Sequence, residues 1–117
     1  MVSTFKFSDN VVGILITEDL DSKKVSEVHK LILERVEKHK QINLYIEIEE
    51  GRHISMAAFF KDVAFKFTNA EKFKRIAVVT DINWFQNAME IKDLLMDAEV
   101  QSFSLADRLK AISWIAE

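Results

Sequence analysis

The chain has no cysteine, which excludes zinc–thiolate sites, thiol nucleophiles and disulfides. A reducing compartment fits that composition. The expectation is a cytoplasmic protein, at most peripheral to the inner membrane face. Proline is absent and glycine occurs twice, which leaves no flexible linker, no Gly-rich phosphate cradle and no dinucleotide-binding fingerprint. No stretch approaches ~18 consecutive apolar residues. The opening MVSTFKFSDN lacks a basic flank followed by an apolar run, so neither a membrane span nor a secretory signal is expected. Excess charge of one sign is lacking too: 16 basic against 19 acidic residues give a net charge of −3. Nucleic-acid binding rests on a basic surface and is not expected.

What is present is a repeated strand-then-helix grammar over a single domain, residues 1–117, long enough to bury a core without staples. The clearest unit is RIAVVTDINWFQNAMEIKDLL, Arg75 to Leu95. Ile76 to Val79 is a short continuous apolar run, as in a strand buried on both faces. Thr80 and Asp81 supply turn and capping oxygens, and the apolar period becomes helical from Asn83.

The same reading extends in both directions. Residues 2–7 (VSTFKF) and 11–16 (VVGILI) flank Ser8-Asp9-Asn10 as a hairpin. Asp19 to Ser22 cap a first helix carrying Val25, Val28, Leu31, Ile32 and Val36 through about His39. Ile42 to Ile48 is the next strand. Its second face, Asn43, Tyr45 and Glu47, is expected to be less completely covered. Ser55 is the N-cap of a second helix from Met56 to about Glu71, whose core stripe is expected to be Met56, Phe59, Phe60, Val63, Ala64 and Phe67. Val100 to Leu105 and Ala106 to Ala116 complete the chain as strand and helix. The order is ββαβαβαβα: an α/β fold with a five-stranded, mostly parallel mixed sheet, one antiparallel edge strand, and four helices on one or both faces.

DNVVGILITEDL, INLYIEIEE, KFKRIAVVTDINW and the terminal AISWIAE, in that order, resemble the SpoIIAA-like family across nearly the whole chain. These are small bacterial proteins with a STAS-type fold, also likened to the CRAL-TRIO lipid-binding domain of Sec14-type proteins. The resemblance implies a five-stranded sheet flanked by helices. For function it implies binding of an apolar ligand or peripheral membrane association, and it brings no catalytic signature. Anti-sigma-factor antagonists of the wider STAS group carry Asp-Ser-Ser-Gly, with a phosphorylated serine, where the middle strand meets the second helix. Here that junction reads EEGRHISMAAFF. Ser55 lies at the matching helix start, but the preceding Asp-Ser and the following Gly are missing. A helix N-cap, worth about 1 kcal/mol, is therefore the plainer role for Ser55, although a phosphate there, near Arg52 and His53, would be physically comfortable.

No pair of the three histidines has metal-ligand spacing, and neither cofactor nor enzymatic activity is expected. His29 is expected on the flank of the first helix's core stripe. Arg52, His53 and Ser55 crowd one loop at the C-terminal end of a central strand, where open α/β sheets bind ligands. That loop is the candidate regulatory contact.

The third helix carries Trp84, Ala88, Ile91 and Leu95 as one stripe and Phe85, Met89 and Met96 as a second. The second stripe suits a wider core contact, a dimer surface, or the wall of an apolar pocket or membrane-docking face. Phe65 lies off the expected stripe of the second helix, beside Ala58, Lys61 and Asp62, and reads as an apolar group left for a partner. Trp114 lies off the Leu105, Leu109, Ile112 and Ala116 stripe. The expectation is a non-enzymatic binding module that holds an apolar or amphiphilic ligand or touches a membrane through its second and third helices. Phe60, Phe65, Trp84, Phe85 and Met89 are its candidate ligand residues. The alternative is a STAS-like interaction module using the Glu49–Ser55 loop. Homodimerisation is compatible with either.

Overall fold

The structure, a computed structural model, describes residues 2–8, 10–37, 39, 41–83 and 99–117. Its elements are β1 (Val2–Ser8), β2 (Val11–Ile16), α1 (Ser22–Val36), β3 (Ile42–Ile48), α2 (Met56–Thr68), β4 (Phe73–Val79), β5 (Glu99–Phe103) and α3 (Arg108–Ala116). Short 3-10 turns at Ala70–Lys72 and Leu105–Asp107 precede β4 and α3. The helix expected from Asn83, with Trp84, Phe85 and Met89, falls on 84–98, outside the described residues.

The strands lie side by side in chain order, β1-β2-β3-β4-β5. β1 pairs antiparallel with β2, and the remaining pairs are parallel. An order that always advances in one direction, joined by right-handed crossovers, puts the crossover helices on one face. α1 and α2 pack there together, and α3, which follows the last strand, covers β3, β4 and β5 from the other side.

Strand alternation sorts the side chains between these layers. Ile14, Ile16, Leu44, Ile46, Ile48, Ile76 and Val78 build the core under α1 and α2. Val11, Tyr45, Ala77 and Val79 build the thinner core under α3 with Ala111 and Ile115. β4 interrupts the alternation once: Ile42 faces Phe73 and Asn43 faces Arg75, leaving Lys74 as an extra residue. The bulge lets Phe73 and Ile76 both enter the larger core.

α1 starts where Asp21 accepts a hydrogen bond from the Lys24 amide at 2.8 Å. It buries Val25, Val28, His29, Ile32 and Val36. α2 starts on Ser55, whose hydroxyl accepts from the Ala58 amide at 3.1 Å. It ends at Thr68, earlier than expected, where the Asn69 side chain caps the Phe65 carbonyl and the chain tightens into the 3-10 turn Ala70–Lys72.

Three expectations about faces are corrected. The second face of β3 is covered: Asn43 and Tyr45 are buried beneath α3. Their polar atoms find partners there, since Asn43 Nδ2 donates to the Ile115 carbonyl at 2.9 Å and Tyr45 Oη donates to Glu47 at 2.7 Å. Of the expected α2 stripe, Phe59 packs against the core, but Met56, Phe60 and Ala64 are exposed and Ala58 is fully buried in their place; the side chains of Val63 and Phe67 lie outside those described. Ala58 has no bulk to hold the helix away from the sheet, and the next turn brings Asp62 to His29 of α1 at 3.0 Å. In α3 Ala111 and Ile115 are fully buried and Leu109 is exposed, while Leu105 and Ile112 of the expected stripe pack partly buried against the same core; the small rotation accompanies the Asn43 and Arg75 bonds to the carbonyls of 115 and 114.

Candidate functional site

The loop between β3 and α2 is held in place by the segment before α1. The Leu20 amide donates to the His53 carbonyl at 2.8 Å, and the Ser55 amide donates to the Leu20 carbonyl at 3.0 Å. Together these make a parallel bridge between Leu20 and Ile54. Asp19 accepts from the His53 amide at 2.9 Å. At the loop tip, Arg52 Nε donates to Glu49 at 2.8 Å. Gly51 turns the chain with φ 82°, in the left-handed region that favours glycine.

Residues 49–54 of the loop border an open depression of about 430 Å³ at the C-terminal ends of β3 and β4. Asp81 and Ile82 close its far side. They are held by buried Thr80, whose hydroxyl accepts from the Ile82 amide, and by Asp81, which accepts from the Leu105 amide at 2.9 Å. The depression thus lies where parallel sheets place their ligands. Met56 and Phe60, one turn apart at the start of α2, are 57% and 62% exposed.

The predicted ligand residues separate. Phe60 is on the outer face of α2. Phe65 is half-buried rather than left over: its ring lies flat on His29, with centroids 3.8 Å apart and planes 7° from parallel, and it tilts against Phe73 at 6.3 Å. Trp84, Phe85 and Met89 lie outside the described residues. Arg52, His53 and Ser55 do share one loop. The Ser55 hydroxyl is occupied as the α2 cap, the plainer role expected for it.

Sequence reasoning missed two polar clusters. His29 and Asp62 form a pair inside the α1–α2 layer, with side chains 9% and 14% exposed. Glu47, on the α3 side, accepts from both Tyr45 and Arg108. Burial, and then the bond to Glu47, push the Tyr45 hydroxyl well above its ordinary pKa. The signal for the second cluster was the polar alternation of β3. Nothing local signalled the first, since its partners stand 33 residues apart.

A parallel sheet with one antiparallel edge and, among the described residues, two crossover helices on one face and a closing helix on the other defines a domain of the STAS type. A family profile for SpoIIAA-like proteins matches residues 11–116, and the chain belongs to that family. Its fold is similar to the crystal structure of an uncharacterized protein of the DUF3478 family, with a SpoIIAA-like fold, from Shewanella loihica PV-4. The TM-score is 0.66 and the identity 16%, covering 98% of this chain and 92% of that one. At that identity the likeness speaks for the fold. No curated protein matches the chain. No helix among the described residues is long and apolar enough to cross a membrane.

Proposed function

We propose that this domain is a non-enzymatic interaction module that docks a protein partner on the β3–α2 loop and the first two turns of α2. The observation that carries this reading is the exposure of Met56 and Phe60 beside the Glu49–Ser55 loop. Two large exposed apolar side chains at the start of α2, which directly follows the polar Glu49–Ser55 loop in the chain, offer the apolar anchors and polar surroundings that interfaces combine. Burying each would contribute roughly 1.5–3 kcal/mol to association. A STAS-type fold fits a regulatory role of this kind.

The test is a pull-down with the wild type, Phe60→Asp, Ser55→Asp and, as a control on the other side of the sheet, Leu109→Asp. One protein partner held by the wild type and by Leu109→Asp, and lost from the other two, is the expected result. A partner indifferent to Phe60→Asp, or recovery of lipid alone, sinks the reading.

The exposed α2 face is the motive for a second reading, contact with a membrane surface or an apolar ligand. Phe60 would enter the interface and Lys61 would face the headgroups, each basic residue near an anionic surface contributing about 1 kcal/mol. Co-sedimentation with anionic vesicles that Phe60→Asp abolishes would support it. A homodimer formed through the same face is the third outcome, and light scattering on the wild type and Phe60→Asp separates it from the others.

A further inference from the structure

The two faces of the sheet differ in chemistry. Register sets the side chains in rows across β2 to β5. Toward α1 and α2 one row reads Val12, Leu44, Ile76 and Val100. Toward α3 the adjoining row reads Val11, Asn43, Arg75 and Glu99, and the next reads Gly13, Tyr45, Ala77 and Gln101. α3 thus covers a surface of polar and small side chains, and burying it removes less apolar area from water than the opposite layer does. The helix brings little of its own. It has 9 residues, too few to be stable in isolation, and Asp107 at its start makes no side-chain capping bond among the described residues.

Polar clamps hold it at both ends. Asn43 and Arg75 donate to the carbonyls of Ile115 and Trp114, and Arg75 reaches Glu117 at 3.2 Å. At the other end Arg108 donates to Glu47 at 3.0 Å. Asn43 Oδ1 and Arg75 Nε are buried in this layer with no hydrogen-bond partner among the described residues. Lifting α3 would hydrate both atoms, which offsets part of the bonding lost. The entry to α3 is also pinned to the candidate site. The Leu105 amide donates to Asp81 at 2.9 Å, and Asp81 lines the depression beside the β3–α2 loop.

We propose that α3 is a releasable strap: it lifts from the sheet as a unit while the strands and the α1–α2 layer stay folded, and Asp81 couples its release to the depression. A ligand that draws Asp81 away from Leu105 frees the strap, and a lifted strap favours that ligand by the same factor. The device rests on the attachment of α3 and on the Asp81 bond, and it stands whether or not the exposed face of α2 docks a partner.

The absence of cysteine from the chain makes thiol labelling the test. Ala111 on α3, Ala77 on β4 beneath it and Ala58 on α2 are all fully buried. The variants Ala111→Cys, Ala77→Cys and Ala58→Cys are each mixed with a thiol reagent under native conditions. The first two are expected to react at similar rates, about tenfold or more faster than the third, and with a shallower urea dependence because less surface opens. Adding Asp81→Ala should speed the reaction of Ala111→Cys about fivefold and leave that of Ala58→Cys unchanged. Hydrogen exchange of the wild type is the second measurement and depends on no variant's folding: the amides of residues 112–115 should exchange through an opening that the β3 amides do not share. The proposal is overturned if the three thiols react alike with one urea dependence, or if Ala111→Cys reacts while Ala77→Cys stays as protected as Ala58→Cys. It is equally overturned if Asp81→Ala changes nothing, or if the α3 and β3 amides exchange through one common opening.

Discussion

The side-chain amide of Asn43, in the middle of the sheet, donates to the backbone carbonyl of Ile115 at 2.9 Å and so closes the C-terminal end of α3 from below. Arg75 does the same for the carbonyl of Trp114 at 2.8 Å, with its guanidinium 5.1 Å over the Trp114 ring. The last carbonyls of a helix have no partner within the helix, and here the sheet supplies two.

Replacing Asn43 with leucine is therefore expected to destabilise the fold by about 1–2 kcal/mol, because the Ile115 carbonyl loses its donor in a buried place. Part of that loss is offset, since Asn43 Oδ1 is itself buried without a donor among the described residues. Urea denaturation followed by tryptophan fluorescence measures the difference. A variant as stable as the wild type would show that α3 does not depend on this bond.

His29 and Asp62 couple the two crossover helices. Asp62→Leu leaves a buried imidazole without its acceptor and is expected to cost about 1–3 kcal/mol. Adding His29→Leu removes the orphaned group, and the double variant should recover most of the loss. A double-mutant cycle by chemical denaturation gives the coupling, and additive single effects would mean that the pair contributes nothing as a pair.

Gly51 needs its conformation rather than its space. An added Cβ would meet nothing within 4 Å, yet φ is +82°. Gly51→Ala should cost about 1 kcal/mol from backbone strain alone. It should also loosen the Arg52–Glu49 tip, which hydrogen exchange at the Arg52 and His53 amides would detect.

Tyr45 is the only tyrosine in the chain. Burial first, and the bond to Glu47 second, favour its neutral form in the folded state. The folded state thus keeps a proton that the unfolded state releases near the ordinary tyrosine value of about 10. Below that pH the tyrosine leaves stability unchanged; above it, stability falls as pH rises, until the folded hydroxyl also ionises. Tyr45→Phe should flatten this alkaline loss. Phenolate absorbance in the native wild type should appear only at a pH well above 10, and an ordinary titration there would contradict the burial argument.

The strand pattern was legible because it is written in neighbours. VVGILI, INLYIEI and IAVV announce buried strands whatever lies beyond them, and Asp21 and Ser55 announce helix starts by local capping. Helix rotation was not legible in the same way. Nothing within α2 reveals that Ala58, Asp62 and Phe65 turn inward while Phe60 turns out, because the choice depends on His29, in another helix. The α3 stripe was legible only in Leu105 and Ile112 for a related reason: Asn43 and Arg75, which hold the helix end, lie on strands far back in the chain. Of the candidate site, the Arg52, His53 and Ser55 loop could be read from its position after β3, whereas the apolar surface beside it emerged only once α2 was seen to be turned.

The order in which the strands stand has a bearing on how the domain is made. Each strand after the first lies beside the one synthesised just before it, so a growing chain can extend the sheet by accretion, one βα unit at a time, with no strand waiting for a distant partner. Among the described elements, α3 reaches back across the finished sheet, to Asn43 and Arg75. The domain should accordingly assemble from its first hairpin outward, with the α3 bonds as the final lock.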